Sequence, residues 1–138
     1  MSVTLTSSPA GLESLNRVFR EFAELHGLST PVRNALSLAI EEVIVNVITH
    51  GYRGQDGQPI AVEIRVDSAK VVMTVEDSAP VFNPLEAPPP DLTTPLEKRR
   101  PGGLGVHLTR KVMDGLHYSR IHGKNRLVLT KSLSARTE

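Results

Sequence analysis

Two side chains that could do acid–base and metal chemistry lie four residues apart, Glu42 and Asn46. Residues with this spacing share one face of a helix. A carboxylate beside a carboxamide can accept a proton from a substrate and can hold hydrated Mg²⁺, which prefers oxygen ligands. The same pair also suits a solvated helix face away from the apolar stripe, so the spacing leaves two interpretations open.

Two further elements carry possible chemistry. Asp77 ends an alternating apolar segment before a Ser-Ala-Pro turn, where its carboxylate can accept a hydrogen bond from a ligand amino group or cap its own turn. Gly102, Gly103 and Gly105 precede a helical pattern, where glycines allow backbone N–H groups to approach phosphate oxygens. The glycines match neither the GxxxxGK[ST] phosphate loop nor the Rossmann fingerprint, and a structural role stays open.

Other catalytic chemistries find little support in the sequence. The five histidines show no HxxxH spacing and there is no cysteine, which argues against a zinc site. No serine occupies a GxSxG elbow, which argues against a Ser-His-Asp hydrolase. His107 is the one histidine of interest, because it follows the glycines in the first turn of the predicted helix.

Hydrophobic periodicity predicts the elements that must position these groups. Ser8-Pro9 and Thr30-Pro31 are typical helix starts, and the two helices are expected to end at Gly27 and at Gly51, with His50 in the last turn of the second. Alternation predicts strands, and a late apolar pattern predicts a third helix. The strands are 2–6, 60–66, 71–77, 116–121 and 126–133, with 122–125 as the last turn, and the third helix carries Leu104, Leu108 and Val112.

The order of these elements predicts the fold class. Early helices and antiparallel strand pairs indicate an α+β two-layer sandwich, with a mainly antiparallel sheet covered on one face by helices. Residues 80–101 carry seven of the ten prolines, too many for a helix interior or central strand. A segment this long and proline-rich indicates either a functional lid, at about 80–103, or a mobile insert. We expect a single domain over residues 1–138.

Composition indicates a cytoplasmic domain without membrane spans. The start lacks the basic and apolar regions of a signal peptide, and no apolar run approaches the length of a span. The net charge of +1 hides a polarised layout, −5 over residues 1–90 and +6 over 91–138. Tyr118 is the only aromatic residue of the basic part, so no direct nucleic-acid binding is expected; the basic excess is either solvated or faces phosphates.

Taken in order, the motifs resemble the nucleotide-binding boxes of the GHKL ATPase superfamily, and more closely the stand-alone bacterial anti-sigma-factor serine/threonine kinases. The resemblance extends from about residue 3 to 133. The matching motifs are Glu41-Glu42-Val43 with Asn46 and His50-Gly51-Tyr52, Asp77 with Phe82-Asn83-Pro84, Gly103-Leu104-Gly105-Val106-His107-Leu108 with Met113-Asp114, and Gly123-Lys124-Asn125-Arg126-Leu127.

The resemblance implies a Bergerat-type sandwich that binds Mg-ATP between the helices and the lid. Asn46 would hold Mg²⁺, and Asp77 would bond the adenine amino group. Gly103 and Gly105 would lie against the phosphates, with Leu104 and His107 beside them in the nucleotide site. Glu42 would be the general base in phosphoryl transfer to a serine hydroxyl. Such a kinase would phosphorylate an anti-sigma-factor antagonist, bind a sigma factor and form a homodimer, with the N-terminal strand and first helix as candidate contacts.

The sequence differs from the family pattern at two places, and two other functions are also considered. The family's usual glycine two residues after the adenine-binding aspartate is Ala79, followed by Pro80, and the usual Gly-Thr near the last hairpin is Lys124-Asn125. A Cβ at 79 limits positive φ, which would change the backbone near adenine. The main alternative is a non-catalytic, nucleotide-gated module that sequesters a sigma factor or other partner. The ATP-binding half of a histidine kinase is less favoured, because no dimerisation helix with a phospho-acceptor histidine is present.

Overall fold

The computed structural model of the chain describes residues 1–86 and 109–133. The glycine cluster, Leu104, His107 and the predicted lid beyond residue 86 lie outside the described residues. The strands are β1 (Ser2–Thr6), β2 (Pro59–Val66), β3 (Lys70–Asp77), β4 (Gly115–Ile121) and β5 (Lys124–Ser132), and the helices are α1 (Pro9–Leu25) and α2 (Thr30–Asn46). Residues 109–112 are also helical, within the third helix that the sequence predicts.

The five strands form one antiparallel sheet in the order β1-β2-β3-β5-β4. Alternate residues of the central strands are buried, among them Ile64, Met73 and Leu129. They form one apolar cluster with Leu36 and Ile40 of α2. The predicted α+β sandwich with an antiparallel sheet is therefore confirmed.

Both helices begin where the sequence predicts. The Ser8 hydroxyl accepts a hydrogen bond from the Gly11 amide at the start of α1, and Ser29 does the same for Val32 at the start of α2. These caps satisfy amides that have no partner inside the helix. Gly27, with φ of 61°, follows the end of α1 as predicted.

The end of α2 differs from the prediction. The α-helix stops at Asn46, and Val47–Gly51 form a π-helical segment in which the Tyr52 amide bonds to the Val47 carbonyl at 2.8 Å. Gly51 is therefore inside this segment and is not the residue after the helix; the positive φ angles fall on Arg53 and Gly54. The wider turn directly follows Asn46, and such π segments are often found at functional sites.

The last hairpin is tighter than the prediction. Its turn contains only His122 and Gly123, with φ of 50° and 76°, and Ile121 pairs with Lys124. Two residues with positive φ give the turn that matches the strand twist. The prediction of a four-residue turn over 122–125 is wrong, because Lys124 and Asn125 begin β5. Asn125 thereby comes opposite Asp77 on β3.

Candidate functional site

A small, partly open pocket with a cavity volume of about 20 Å³ lies where α2, β3 and β5 meet the chain after Asp77. It is mostly apolar, with three buried polar side chains among its walls: Asn46, Asp77 and Asn125. An apolar pocket with a few convergent polar groups is the usual form of a small-molecule site. The lining residues are Val43, Asn46, Val47, Val75, Asp77, Phe82, Pro84, Tyr118, Asn125 and Leu127.

Asp77 is the buried carboxylate of this pocket, with 6% of its surface exposed. Its Oδ1 atom accepts hydrogen bonds from the Ala79 amide at 3.0 Å and from Asn125 Nδ2 at 2.9 Å. Burial raises the pKa of Asp77, against the opposing effects of these bonds and of the Arg120 charge. Asp77 thus caps its own turn and also lines the pocket. Its second oxygen, Oδ2, takes part in neither of these two hydrogen bonds.

Asn125 connects that carboxylate to the chain that follows it. Its Nδ2 group donates to Asp77 Oδ1 and to the carbonyls of Ala79 at 3.3 Å and Pro80 at 3.0 Å. Its Oδ1 atom accepts from the Phe82 amide at 3.1 Å and from the Tyr118 hydroxyl at 2.6 Å. The amide is 4% exposed, and its donors and acceptor sites are all engaged.

Residues 78–82, here called the adenine loop in view of the resemblance, have two further anchors. The Tyr52 hydroxyl accepts from the Ser78 amide at 2.8 Å and donates to the Pro59 carbonyl at 2.6 Å. Arg120 donates to the Ala79 carbonyl at 2.9 Å. Side chains from three separate parts of the chain therefore fix this loop.

The substitution of the expected glycine by Ala79 is accommodated. Ala79 is buried and its φ is not positive, so the loop takes a conformation open to any residue. The facing residue is Gly51, where an added Cβ would lie 3.3 Å from the Ala79 Cβ. The absence of a side chain at Gly51 leaves room for the Ala79 methyl group.

Asn46 differs from every other polar group in the pocket. It is 2% exposed, and its Nδ2 group has no hydrogen-bond partner among the described residues. The expectation that Glu42 and Asn46 share a face away from the apolar stripe is wrong for Asn46, which lines the pocket beside Val43 and Val47. A buried amide without a partner costs about 1–3 kcal/mol. A bound ligand or its water shell would remove that cost.

Glu42, one turn before Asn46, is only half-buried and does not line the pocket that the described residues form. Partial burial raises its pKa, and the neighbouring Glu41 carboxylate raises it further. A carboxylate with a raised pKa is a better proton acceptor near neutral pH. Glu42 is thus a half-buried carboxylate with a raised pKa, one helical turn before the pocket residue Asn46.

The residues present fit a magnesium–nucleotide complex better than a protein-held metal centre. Within residues 1–86 and 109–133, no group of three His, Cys, Asp or Glu side chains is placed to hold a metal ion. Mg²⁺ commonly keeps several waters and substrate phosphates as ligands and needs only one or two oxygens from the protein. The Oδ1 atom of Asn46 can supply one such oxygen. Its unpartnered Nδ2 group is a hydrogen-bond donor, so it suits a phosphate oxygen or a water and not the metal itself.

Three predicted site residues thus lie in one region, while Gly103, Leu104, Gly105 and His107 lie outside the described residues. The sequence prediction missed Asn125 and Tyr118. Asn125 was assigned to a turn, where asparagine is common. The pairing register of the strands would have identified Asn125, because a two-residue turn over His122 and Gly123 places it opposite Asp77.

The antiparallel α+β sandwich and the position of its pocket agree with the comparisons with known proteins. The family model for the histidine kinase-like ATPase domain matches residues 5–131, and the chain belongs to that family. This confirms the resemblance found in the sequence.

Three related proteins indicate which members of this large family the chain is similar to. The chain is 29% identical to the serine/threonine-protein kinase BtrW of Bordetella bronchiseptica over 94% of this chain and 89% of the relative. It is 29% identical to the serine-protein kinase RsbW of Listeria monocytogenes over 78% and 71%, and 24% identical to the anti-sigma F factor of Clostridium perfringens over 72% and 71%. These relatives are named as protein kinases or as an anti-sigma factor.

Proposed function

We propose that this chain is a protein serine/threonine kinase that uses Mg-ATP to phosphorylate an anti-sigma-factor antagonist, and that it also acts as an anti-sigma factor. The observation that carries the proposal is the pocket with an unpartnered buried amide, Asn46, on one side and a buried carboxylate, Asp77, on the other. The names of the relatives support the choice of kinase over other nucleotide-binding proteins.

The two polar groups suit the two ends of ATP. Asp77 Oδ2 would accept a hydrogen bond from the adenine amino group, while Oδ1 stays bonded within the protein. Asn46 would contribute an oxygen to Mg²⁺, which neutralises charge that develops on the transferring phosphoryl group. Gly103 and Gly105, with Leu104 and His107, would complete the phosphate end through backbone amides.

Glu42 would act on the incoming serine. As the serine oxygen forms its bond to the γ-phosphorus, the bond between that phosphorus and the ADP oxygen breaks. The hydroxyl proton passes to the Glu42 carboxylate, and ADP leaves with the electron pair of the broken bond. The raised pKa of Glu42 favours this transfer, because it brings the base closer to the working pH.

The partners follow from the same proposal. An antagonist protein would present the serine, and a sigma factor would bind the kinase when the antagonist does not. A homodimer through β1 and α1 and a cytoplasmic location complete it. Among the described residues, no helix is long and apolar enough to cross a membrane.

Nucleotide binding is tested by thermal unfolding with and without Mg²⁺ and ATP. Ligand at about 100 times its dissociation constant adds about 2.7 kcal/mol, and for a domain of this size that raises the midpoint by roughly 9 °C. No shift at millimolar Mg-ATP would show that the pocket does not bind nucleotide.

Phosphoryl transfer is tested with labelled ATP and a purified antagonist. Appearance of label on a serine of the antagonist is the expected result. An antagonist that binds more or less tightly with ATP, but never gains phosphate, would instead select the alternative of a nucleotide-gated binding module.

A further inference from the structure

One side chain, Asn125, makes most of the hydrogen bonds that hold the adenine loop. Its amide has no free donor or acceptor left to bond to a ligand. Asn125 makes bonds to Asp77, Ala79, Pro80 and Phe82. Its three acceptor partners lie on the nitrogen side and its two donor partners on the oxygen side, so the orientation of the amide is dictated by its neighbours.

We propose that Asn125 is a positioning residue for base selectivity: it fixes Asp77 and the adenine loop so that the free carboxylate oxygen meets the base. The inference rests on the proposed function, since it concerns the same nucleotide site. The Asn125 bonds to both loop carbonyls hold a loop that contains Ala79 and Pro80.

The chemistry of selectivity depends on which oxygen of Asp77 is occupied. A carboxylate that rotates freely could offer either oxygen to a base or to water, which weakens discrimination. Here the Ala79 amide and Asn125 both bond to Oδ1, so the rotation of the carboxylate is fixed. Adenine presents an amino donor to the remaining oxygen. Hypoxanthine presents a carbonyl oxygen in the same place, which a carboxylate repels.

Tyr118 supports the same arrangement from the edge strand. Its hydroxyl donates to Asn125 Oδ1 at 2.6 Å, while its ring lines the pocket. Because β4 pairs with β5, Tyr118 and Asn125 are held on neighbouring strands independently of the loop. The loop is therefore anchored to the rigid sheet through Asn125.

The test compares the dissociation constants of Mg-ATP and Mg-ITP for the full chain and for Asn125→Ala, Tyr118→Phe and the control Lys124→Gln. Lys124 is the exposed neighbour of Asn125 on β5. We expect the wild type and the control to prefer ATP by at least about tenfold, because a site built around a hydrogen bond rejects a ligand that cannot make it. Asn125→Ala should lower that preference about tenfold, and Tyr118→Phe about two- to threefold.

A purely structural role would weaken both nucleotides equally and leave their ratio unchanged. An unchanged ratio in both variants, with a selective wild type, would overturn the role of Asn125 alone. If Asn125→Ala does not fold, Tyr118→Phe decides the matter, since it removes one hydroxyl and leaves no large cavity. A wild type that binds neither nucleotide would overturn the proposed function and this inference with it.

Discussion

The two sides of the pocket differ in how completely their polar groups are bonded. On the loop side, Asp77 and Asn125 belong to a continuous network that ends on the backbone of the adenine loop. On the helix side, Asn46 is equally buried but its Nδ2 group has no partner among the described residues. An asparagine amide is present on both sides, Asn125 on the loop side and Asn46 on the helix side, so these two residues differ in arrangement and not in type.

On the loop side the hydrogen bonds are already formed in the free protein, whereas on the helix side a buried donor could still form one with a ligand. A satisfied network is rigid and orients its groups before binding. A buried polar group without a partner carries a cost in the free protein that a ligand can remove, which makes binding more favourable. Under the proposed function, the loop side would recognise the adenine base, and the helix side would contact the phosphates and the metal that take part in phosphoryl transfer.

The largest effect is expected on the rate of phosphoryl transfer, at the proposed general base Glu42 on the helix side. Glu42→Gln should lower phosphoryl transfer by about 10²–10⁴-fold, because the amide cannot accept the serine proton. The thermal shift with Mg-ATP should remain, since Glu42 does not line the pocket. Transfer of label from ATP to the antagonist, measured in single turnover, checks the first part.

The exposed neighbour Glu41 gives a matched control. Glu41→Gln should retain transfer, and it should move the acid limb of the pH–rate profile to lower pH, because the Glu41 charge raises the pKa of Glu42. Equal loss of transfer in both variants, or loss of the thermal shift in Glu42→Gln, would contradict the assignment of Glu42 as base.

The next effect concerns stability on the loop side. Asn125→Leu replaces the amide by an apolar group of similar size and leaves the Pro80 carbonyl, the Phe82 amide and the Tyr118 hydroxyl without the partner that Asn125 supplies. The Ala79 carbonyl keeps its hydrogen bond from Arg120. We expect a loss of about 3 kcal/mol, since each unsatisfied buried group costs about 1–3 kcal/mol and the loop can relax in part. Urea unfolding of the free protein measures it; a loss below about 1 kcal/mol would show that water replaces Asn125 freely.

The sequence predicted the fold better than it predicted this network. Periodic apolar residues and helix caps are local signals, so α1 and α2 began where expected. The end of α2 and the last turn were predicted wrongly, because a π segment and a two-residue turn depend on what packs beside them. The role of Asn125 depends on register, which local sequence specifies poorly. The spacing to Glu42 and the family resemblance both predicted Asn46 as a candidate ligand, but neither predicted that its side chain is buried in the pocket.

Asp77 allows the two sides to be compared through ligand affinity. Asp77→Asn keeps an oxygen for the Ala79 amide but loses the charge that would bind the adenine amino group. Hydrogen bonds to charged groups contribute about 1.5–3 kcal/mol, so the affinity for Mg-ATP should fall about 10- to 100-fold. Titration calorimetry of wild type and variant measures the change, and equal affinities would exclude Asp77 from base recognition.

Asp77→Asn should weaken ATP binding, but it should make the free protein more stable relative to wild type as the pH rises. Burial raises the pKa of Asp77 above its ordinary value of 3.8, so the folded state binds this proton more tightly than the unfolded state does. The stability that this group contributes is therefore present at low pH and is lost as pH rises through the raised pKa. The free energy of unfolding of Asp77→Asn, relative to wild type, should increase between about pH 4 and pH 7.

Asp67 provides a control of opposite sign. Backbone hydrogen bonds from Ala69 and Lys70 lower the pKa of this exposed carboxyl. Its contribution is present above its ordinary pKa and is lost on acidification, so Asp67→Asn should become less stable than wild type as pH rises. Parallel urea titrations of both variants at several pH values test the pair; the same sign in both would contradict the burial effect at Asp77.

The smallest effect in the free protein, and the sharpest contrast with Asn125, is expected at Asn46. Asn46→Leu removes an amide whose nitrogen has no partner among the described residues and replaces it with an apolar group of similar size among Val43, Val47 and Leu127. Replacing an unsatisfied polar group in this way is neutral or stabilising, so the free energy of unfolding should stay equal or rise by up to about 1 kcal/mol. The midpoint shift with Mg-ATP should disappear, because the side chain that would bind the metal is gone. If Asn46→Leu instead destabilises the free protein as much as Asn125→Leu, Asn46 is a structural residue and the two sides of the pocket do not differ as argued. Thermal and urea unfolding of both leucine variants, each with and without Mg-ATP, distinguish the two cases.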